Sequence, residues 1–237
     1  MPTKPSQDVK DKTMETYERL VALFGAEPLV PRREPMHELI STMLSHRTTQ
    51  QNEATAYAKM RERYPTWEEV RDAPLDELIE TIEPATFPEV KAPRIQETLD
   101  IIIRQRGEAS IDFLAELPTE DALAWLTNLP GVGVKTATLV LLFCFAKPVL
   151  PVDTHVHRVS GRVGLIPPKM GATAAHAALL RLLPEDAYVL FNFHKALLKH
   201  GQRICIWRDP KCEQCPLPDI CDWYHANRAG KKRPAKR

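Results

Sequence analysis

The sequence of 237 residues predicts an all-α protein. Apolar residues recur at i, i+3, i+4 and i+7 along most of the chain, the period of one helix face. No stretch alternates apolar and polar residues around a hairpin turn, the mark of a strand pair. The length suffices to bury a core, as one large domain or two small ones. Apolar residues make up 43% and charged residues 27%, which places the chain with globular and not with disordered proteins. The longest near-apolar run, from Ala137 to Ala146, is half the ~20 residues a membrane-spanning helix needs, so no membrane partner is expected. The N-terminal segment MPTKPSQDVK is polar and lacks the apolar core of a secretion signal, which points to an intracellular chain.

Taken in order, Tyr17, Leu20, Val21 and Phe24 define the first helical face, and Leu39, Ile40, Met43 and Leu44 the second. Thr66-Trp67-Glu68-Glu69 has the spacing of a capping box, in which the two end residues satisfy each other's backbone amides. Leu75, Leu78, Ile79 and Ile82 repeat the helical spacing. A longer helix is predicted from Lys91 to Gly107, burying Ile95, Leu99, Ile102 and Ile103 and stopping at a glycine that tolerates the left-handed cap. Further helices are predicted over 119–128, 134–146, 154–162, 172–183 and 186–201. Residues 1–10 and 225–237 have few apolar anchors and read as unstructured tails.

The net charge of +1 conceals a division. Residues 1–147 carry 17 Lys and Arg against 24 Asp and Glu, whereas residues 148–237 carry 15 against 7. The basic part suits a polyanion partner, although Arg228, Lys231, Lys232, Arg233, Lys236 and Arg237 supply six of its charges from the tail alone.

Cys205, Cys212, Cys215 and Cys221 form the pattern C-x6-C-x2-C-x5-C. Four thiols within seventeen residues, without a secretion signal, point to a metal site more than to disulfides. Four cysteines suit either zinc or an iron–sulfur cluster. Structural zinc sites usually show two short C-x2-C pairs, and only Cys212 and Cys215 are so spaced, which favours iron–sulfur. Cys144 lies in the apolar run and reads as a core thiol. Between the first two cysteines stand Arg208 and Lys211, either a stiffened cationic loop for phosphate or an ordinary solvated one.

LPGVGVKTA at 129–137 places two of the nine glycines within three residues, between two predicted helices. Gly131, Val132 and Gly133 would form a tight turn whose amides feed a helix N-terminus, a natural seat for a phosphate oxygen. Lys135 falls in the first turn of that helix, where the positive helix end and partial burial both disfavour its charge. A neutral amine there is a nucleophile for a sugar carbon; a charged one pairs with phosphate. Asp153, before Thr154-His155-Val156-His157-Arg158, reads as a helix N-cap. A carboxylate near Lys135 would also take a proton or stabilise positive charge on a sugar ring. His155 and His157 read as polar helix residues and not as metal ligands.

Taken jointly, LPGVGVKTA at 129–137, VDTHVHRV at 152–159 and the four-cysteine pattern resemble the endonuclease III family of base-excision DNA glycosylases, as does LISTMLSHRTT at 39–49. The resemblance spans roughly residues 14–224. It implies a helix–hairpin–helix motif that grips the DNA backbone, and two helical lobes. One is a central bundle of residues 28–147 carrying the hairpin; the other joins 11–27 to 148–224 and holds a 4Fe–4S cluster on the four cysteines. The implied partner is double-stranded DNA with damaged bases or abasic sites, bound by a monomer. The implied reaction flips the damaged base out. Lys135, matching the family's nucleophile, then displaces it and forms a Schiff base, with Asp153 as the essential carboxylate and β-elimination cutting the strand. The related adenine glycosylases carry Ser at this position, so Lys135 implies the bifunctional branch, acting on oxidised pyrimidines.

Two departures bear on substrate scope. His46-Arg47 stands where the family commonly has Ala-Gln, the Gln filling the space left by the flipped base. In Ala85-Thr86-Phe87-Pro88-Glu89, Thr86 replaces a usual Gly before the apolar wedge. Phe87 is then either the wedge that separates stacked bases or a packed core aromatic. The alternatives left open are a monofunctional glycosylase with altered lesion specificity and a DNA-binding variant that keeps the fold but little chemistry.

Overall fold

The computed structural model describes residues 6–31 and 33–227, and among them the chain forms twelve α-helices and no strand. It divides into two compact units, residues 30–147 and residues 1–29 with 148–237.

In the unit of residues 30–147, α2 (Pro35–Ser45) packs on α3 (Gln50–Arg63), α6 (Pro88–Arg106) and α8 (Val134–Phe145). The short helices α4 (Trp67–Asp72) and α5 (Leu75–Thr81) lie on α6, and α7 (Thr119–Thr127) lies on α8. Leu39, Ile40 and Leu44 of α2, Ile95, Leu99 and Ile102 of α6, and Val140 and Leu141 of α8 are fully buried. Each such side chain contributes roughly 1.5–3 kcal/mol by leaving water. Ile103 is only half-buried and Leu75 is exposed, so the helical spacing overstates the apolar face at both.

Helix starts follow local chemistry. The Glu34 carboxylate accepts from the Met36 and His37 amides, and Thr49 Oγ1 from Asn52 N. Both arms of the capping box form, Glu69 N to Thr66 Oγ1 at 3.2 Å and Thr66 N to Glu69 Oε2 at 2.8 Å. α6 starts three residues before the predicted Lys91, because Pro88 occupies its first position with φ already preset. It stops at Gly107, with φ 80°. α3 has no counterpart among the predicted elements: its inward face offers little more than Ala56 and Met60 with the carboxylate of Glu53.

In the other unit, α11 (Ala187–Arg203) packs on α1 (Gln7–Phe24) and α9 (Thr154–Val163), and α12 (Asp222–Asn227) packs on α9. α10 (Ala172–Leu180) ends three residues before the predicted 183. The predicted tails require correction where they meet helices. Residues 7–10 belong to α1, steadied by Gln7 Nε2 donating to Asp11 Oδ1 at 2.7 Å. Residues 225–227 belong to α12, where Asn227 Nδ2 donates to Trp223 O at 2.8 Å. The remainder of both tails, residues 1–5 and 228–237, lies outside the described residues. No helix among the described residues is long and apolar enough to cross a membrane.

The α9–α11 crossing is close enough to demand a glycine. A Cβ on Gly201 would sit 2.8 Å from His155 Cβ and 3.2 Å from Arg158 Nη2. Both neighbours are held, since Arg158 Nη2 donates to Gly201 O at 2.7 Å. Gly201→Ala is therefore expected to cost about 1–3 kcal/mol, as overpacking does, and to lower the apparent Tm by roughly 2–10 °C. Gly171→Ala, with open space around its Cβ position, should shift the Tm by no more than about 2 °C in the same calorimetric comparison.

Candidate functional site

Within residues 30–147, the connection from α7 to α8 is a tight turn closed by Val132 N donating to Leu129 O at 3.1 Å. Gly131 has φ +73°, and a Cβ there would meet Arg94 Cδ at 3.1 Å and Met43 Cε at 3.5 Å. Glycine is thus required by conformation and by space. Gly133 differs: its φ is −91°, it is exposed, and nothing lies within 4 Å of its Cβ position. Its missing side chain leaves the outer surface of the turn open, not an internal contact. Thr98 Oγ1 donates to Pro130 O at 3.0 Å and braces the turn from α6.

Gly133 is also the N-cap of α8 and provides no side-chain cap, so the first amides of the helix remain without that partner. Lys135 follows at the second helical position, half-buried. Its charge acts on two neighbours. Burial raises the Glu38 carboxyl above its ordinary range, and Arg33 and Lys135 oppose that rise. The His46 ring is driven down to about 4, first by burial and then by the charges of Lys135, Lys91 and Arg94. His46 as a whole is exposed, but its Nε2 turns in to Thr136 Oγ1 at 3.1 Å, beside a fully buried side chain. His46 is therefore neutral at physiological pH.

Arg47 and Phe87 are exposed, and both take left-handed backbone conformations, φ 55° and 60°. That conformation costs a non-glycine residue roughly 1–2 kcal/mol. Phe87 is 46% exposed at the N-cap of α6, which removes the core-aromatic alternative, and the Arg47 guanidinium lies 6.0 Å from its ring.

In the other unit, Asp153 is the N-cap of α9: its Oδ1 accepts from His155 N and Val156 N, both at 2.8 Å. The segment leading to it is clamped by two buried histidines, His176 Nδ1 on Leu150 O and His194 Nδ1 on Pro151 O, each at 2.9 Å. Along α9, His157 Nε2 pairs with Met170 O at 2.7 Å and His155 Nδ1 with Arg158 at 3.1 Å, so both histidines serve the helix surroundings. Lys135 and Asp153 belong to different units, each described by itself.

Cys205, Cys212, Cys215 and Cys221 are half-buried and line one small pocket, with a cavity volume of about 20 Å³, together with Arg162, His200 and Leu217. Among the described residues, no set of three or more His, Cys, Asp or Glu side chains is gathered closely enough to hold a metal ion. Burial pushes the Cys215 thiol up to about 12 and raises Cys221 as well. Arg162 Nη1 donates to Cys205 Sγ at 3.3 Å and Leu217 N to Cys215 Sγ at 3.4 Å. His200 Nδ1 is buried with no partner. Arg208 and Lys211 are exposed on the loop between Cys205 and Cys212, beside Trp207, which is 71% exposed. Cys144, expected as a core thiol, is only half-buried, and burial raises its thiol to about 12.

Sequence reasoning missed Lys91, Arg94, Arg158, Arg162 and Trp207. Arg158 and Arg162 stand at i, i+4 behind Asp153, a spacing that puts them on one face of α9. Both reach the cysteine loop: Arg158 Nε donates to Cys205 O at 3.1 Å, and Arg162 to Ile206 O and Trp207 O at 2.8 and 2.9 Å. Nothing in the sequence marks Lys91 as buried or Arg94 as lying over the glycine turn.

A family profile described as "HhH-GPD superfamily base excision DNA repair protein" matches residues 40–185. The chain is 38% identical over 200 residues to endonuclease III of Thermotoga maritima, covering 84% of this chain and 88% of that one. It is 30% identical over 193 residues to endonuclease III of Sulfolobus acidocaldarius, covering 80% and 82%. A solved structure of a trapped endonuclease III–DNA covalent intermediate superposes with a TM-score of 0.79 at 26% identity, covering 95% of this chain and 99% of that one. The profile over more than half the chain, relatives along most of its length and the superposed structure agree: this protein belongs to the HhH-GPD superfamily and, within it, to the endonuclease III family of base-excision DNA glycosylases.

Proposed function

We propose that this glycosylase is bifunctional: a DNA N-glycosylase and abasic-site lyase that removes oxidised pyrimidines through Lys135. The observation that carries the reading is the position of Lys135, half-buried in the first turn of α8, directly after a glycine turn whose amides have no side-chain cap. A phosphate seated on Gly131, Val132 and Gly133 would bring the adjoining sugar to the first turn of the helix. The deprotonated Lys135 amine attacks the anomeric carbon and the glycosidic electron pair leaves with the base, which takes a proton from the newly bonded nitrogen. The nitrogen lone pair then breaks the bond to the ring oxygen, which takes a proton from solvent, and the Schiff base forms. Loss of a proton from the neighbouring sugar carbon then expels the 3′ phosphate. Asp153 holds one carboxylate face on the amides of α9 and stabilises positive charge developing on the sugar. Neutral His46 adds no competing cation beside the amine. Arg47 and Phe87, exposed and side by side, are the groups for the vacated base position and the wedge. Arg208 and Lys211 supply backbone charge.

The likeness to the trapped endonuclease III–DNA covalent intermediate supports DNA as partner. We further propose a 4Fe–4S cluster on Cys205, Cys212, Cys215 and Cys221. The donor set suits such a cluster in kind, four thiols lining one pocket, although they are not gathered here as closely as a bound metal would require. Bound there, the cluster supplies cross-linking of the loop that carries Arg208 and Lys211, and four cysteines leave no open position for substrate.

Borohydride trapping on duplexes with an abasic site, thymine glycol or uracil tests the lyase. Wild type should give a covalent adduct on the first two, and Lys135→Gln none, with strand cleavage reduced about 10³-fold or more. Duplex affinity should change less than about tenfold; equal loss of binding and cleavage would make Lys135 a phosphate contact. Base release without any adduct would mean a monofunctional enzyme, and binding without release a variant with little chemistry.

Elemental analysis tests the cluster. Purified protein should be brown and contain iron and acid-labile sulfide in equal amounts, and Cys212→Ser should lose both with much of the folded yield. Zinc without iron in folded wild type would overturn the assignment.

Salt dependence tests the loop. Replacing Arg208 and Lys211 together by Ala should flatten the slope of log K against log salt by about 0.9 for each lost phosphate contact. An unchanged slope would return both to the solvated surface.

A further inference from the structure

Lys91 lies one turn into α6 and is only 7% exposed. A buried ammonium is tolerated where its donors are used. Here Nζ donates to Leu44 O at 2.6 Å and to Thr48 Oγ1 at 2.7 Å. Leu44 O belongs to the last turn of α2, where carbonyls lack helical partners. Thr48 Oγ1 is shared further: it accepts from Thr86 N at 3.1 Å and donates to His46 O at 3.2 Å. One hydroxyl thus joins the turn that carries Arg47 to the loop that carries Phe87, and Lys91 anchors the junction to the end of α2.

The two segments so joined each contain a non-glycine residue in the left-handed region, Arg47 and Phe87. Such residues persist where the surroundings over-determine them. The bonds around Thr48 are that support, and they set the gap across which the Arg47 guanidinium faces the Phe87 ring at 6.0 Å.

We infer that Lys91 is a positioning residue: through Thr48 it fixes the spacing of Arg47 and Phe87, and thereby the choice of opposite base and the expulsion of the damaged one. The inference rests on the reading of Arg47 and Phe87 as DNA-contacting groups given above. Lys91 itself is no second nucleophile, because its amine is enclosed and its donors are directed to Leu44 and Thr48. Burial lowers the amine to about 8, which still leaves most of it charged at neutral pH.

Lys91→Met keeps length and apolar volume while removing the donors, and Thr48→Val keeps shape while removing the shared hydroxyl. Single-turnover excision is measured with one lesion opposite G and opposite A, at a temperature where melting curves show every variant folded. Each variant should lose about 10- to 100-fold in rate and shift the G-to-A ratio by about threefold or more. The Kd for undamaged duplex should stay within about twofold. The double variant should be no worse than the poorer single one, because both break one linkage. Rate losses that multiply in the double variant, or an unchanged G-to-A ratio, would overturn the inference and leave Lys91 a stabilising residue. Failure of wild type on every duplex would instead overturn the glycosylase-lyase reading beneath it.

Discussion

The tight connection between α7 and α8 is the constraint on which residues 30–147 depend. Gly131 must hold φ +73° while the Arg94 stem and Met43 fill the space where a side chain would project. No other residue meets both conditions, and the braced carbonyl of Pro130 leaves the turn no freedom to open. That turn determines where α8 starts. α8 packs on α2 and α7 and buries Ala137, Val140 and Leu141, so its axis is set by packing while its first turn is set by the glycine. Lys135 inherits its place from these two constraints together. A one-residue change in turn length would rotate it about 100° around the helix, away from Glu38 and His46.

The other unit solves a different problem with similar means. Asp153 caps α9 with one oxygen, and the two buried histidines His176 and His194 hold the carbonyls just before it. The carboxylate is therefore fixed from both sides of the chain. Farther along the same helix, Arg158 and Arg162 bind carbonyls of the cysteine loop. Gly201 lets α11 approach closely enough for Arg158 to reach Gly201 O as well. In the cysteine loop Trp207 is turned outward while Ile204, Pro210 and Leu217 are buried, and the arginine donors hold its carbonyls beside that apolar packing.

Helices with apolar residues at helical spacing were legible in the sequence, α1, α2, α5 and α11 among them, although the buried face of α1 is part threonine and Leu75 of α5 is exposed; the capping box of α4 was legible too. α3 was not, because its inward residues are Glu53, Ala56 and Met60 and the rest of its sequence is polar. Its burial of Glu53 depends on Ser41, a partner twelve residues away that no local pattern reveals. The glycine turn, the Asp153 cap and the shared cysteine pocket follow from residue types at fixed spacing, which a sequence carries openly. Exposure does not. Phe87 and Lys91 are four residues apart, and hydropathy would bury the first and expose the second; the structure reverses both. The reversal comes from the end of α2, whose unpaired carbonyl accepts an ammonium more readily than an aromatic ring.

The acidic balance of residues 1–147 fits a polyanion partner once its location is considered. Residues 62–89 carry nine Asp and Glu against two arginines, an excess that equals the whole imbalance of residues 1–147. These charges lie on α4, α5 and the ends of the neighbouring segments, and Glu68, Glu69, Asp72, Asp76, Glu80 and Glu83 are exposed. Among the described residues, Asp72 and Glu77 of this segment pair with arginines, Arg71 and Arg63. The glycine turn, by contrast, is accompanied by Arg94, Lys135 and Arg47. On the function proposed above, a duplex approaching this unit would be repelled at α4 and α5 and attracted at the turn. Such a dipolar distribution orients the encounter without raising the net charge. Non-specific adhesion grows with net charge, whereas orientation grows with its separation, so a repair enzyme that must scan and release undamaged DNA gains more from the second.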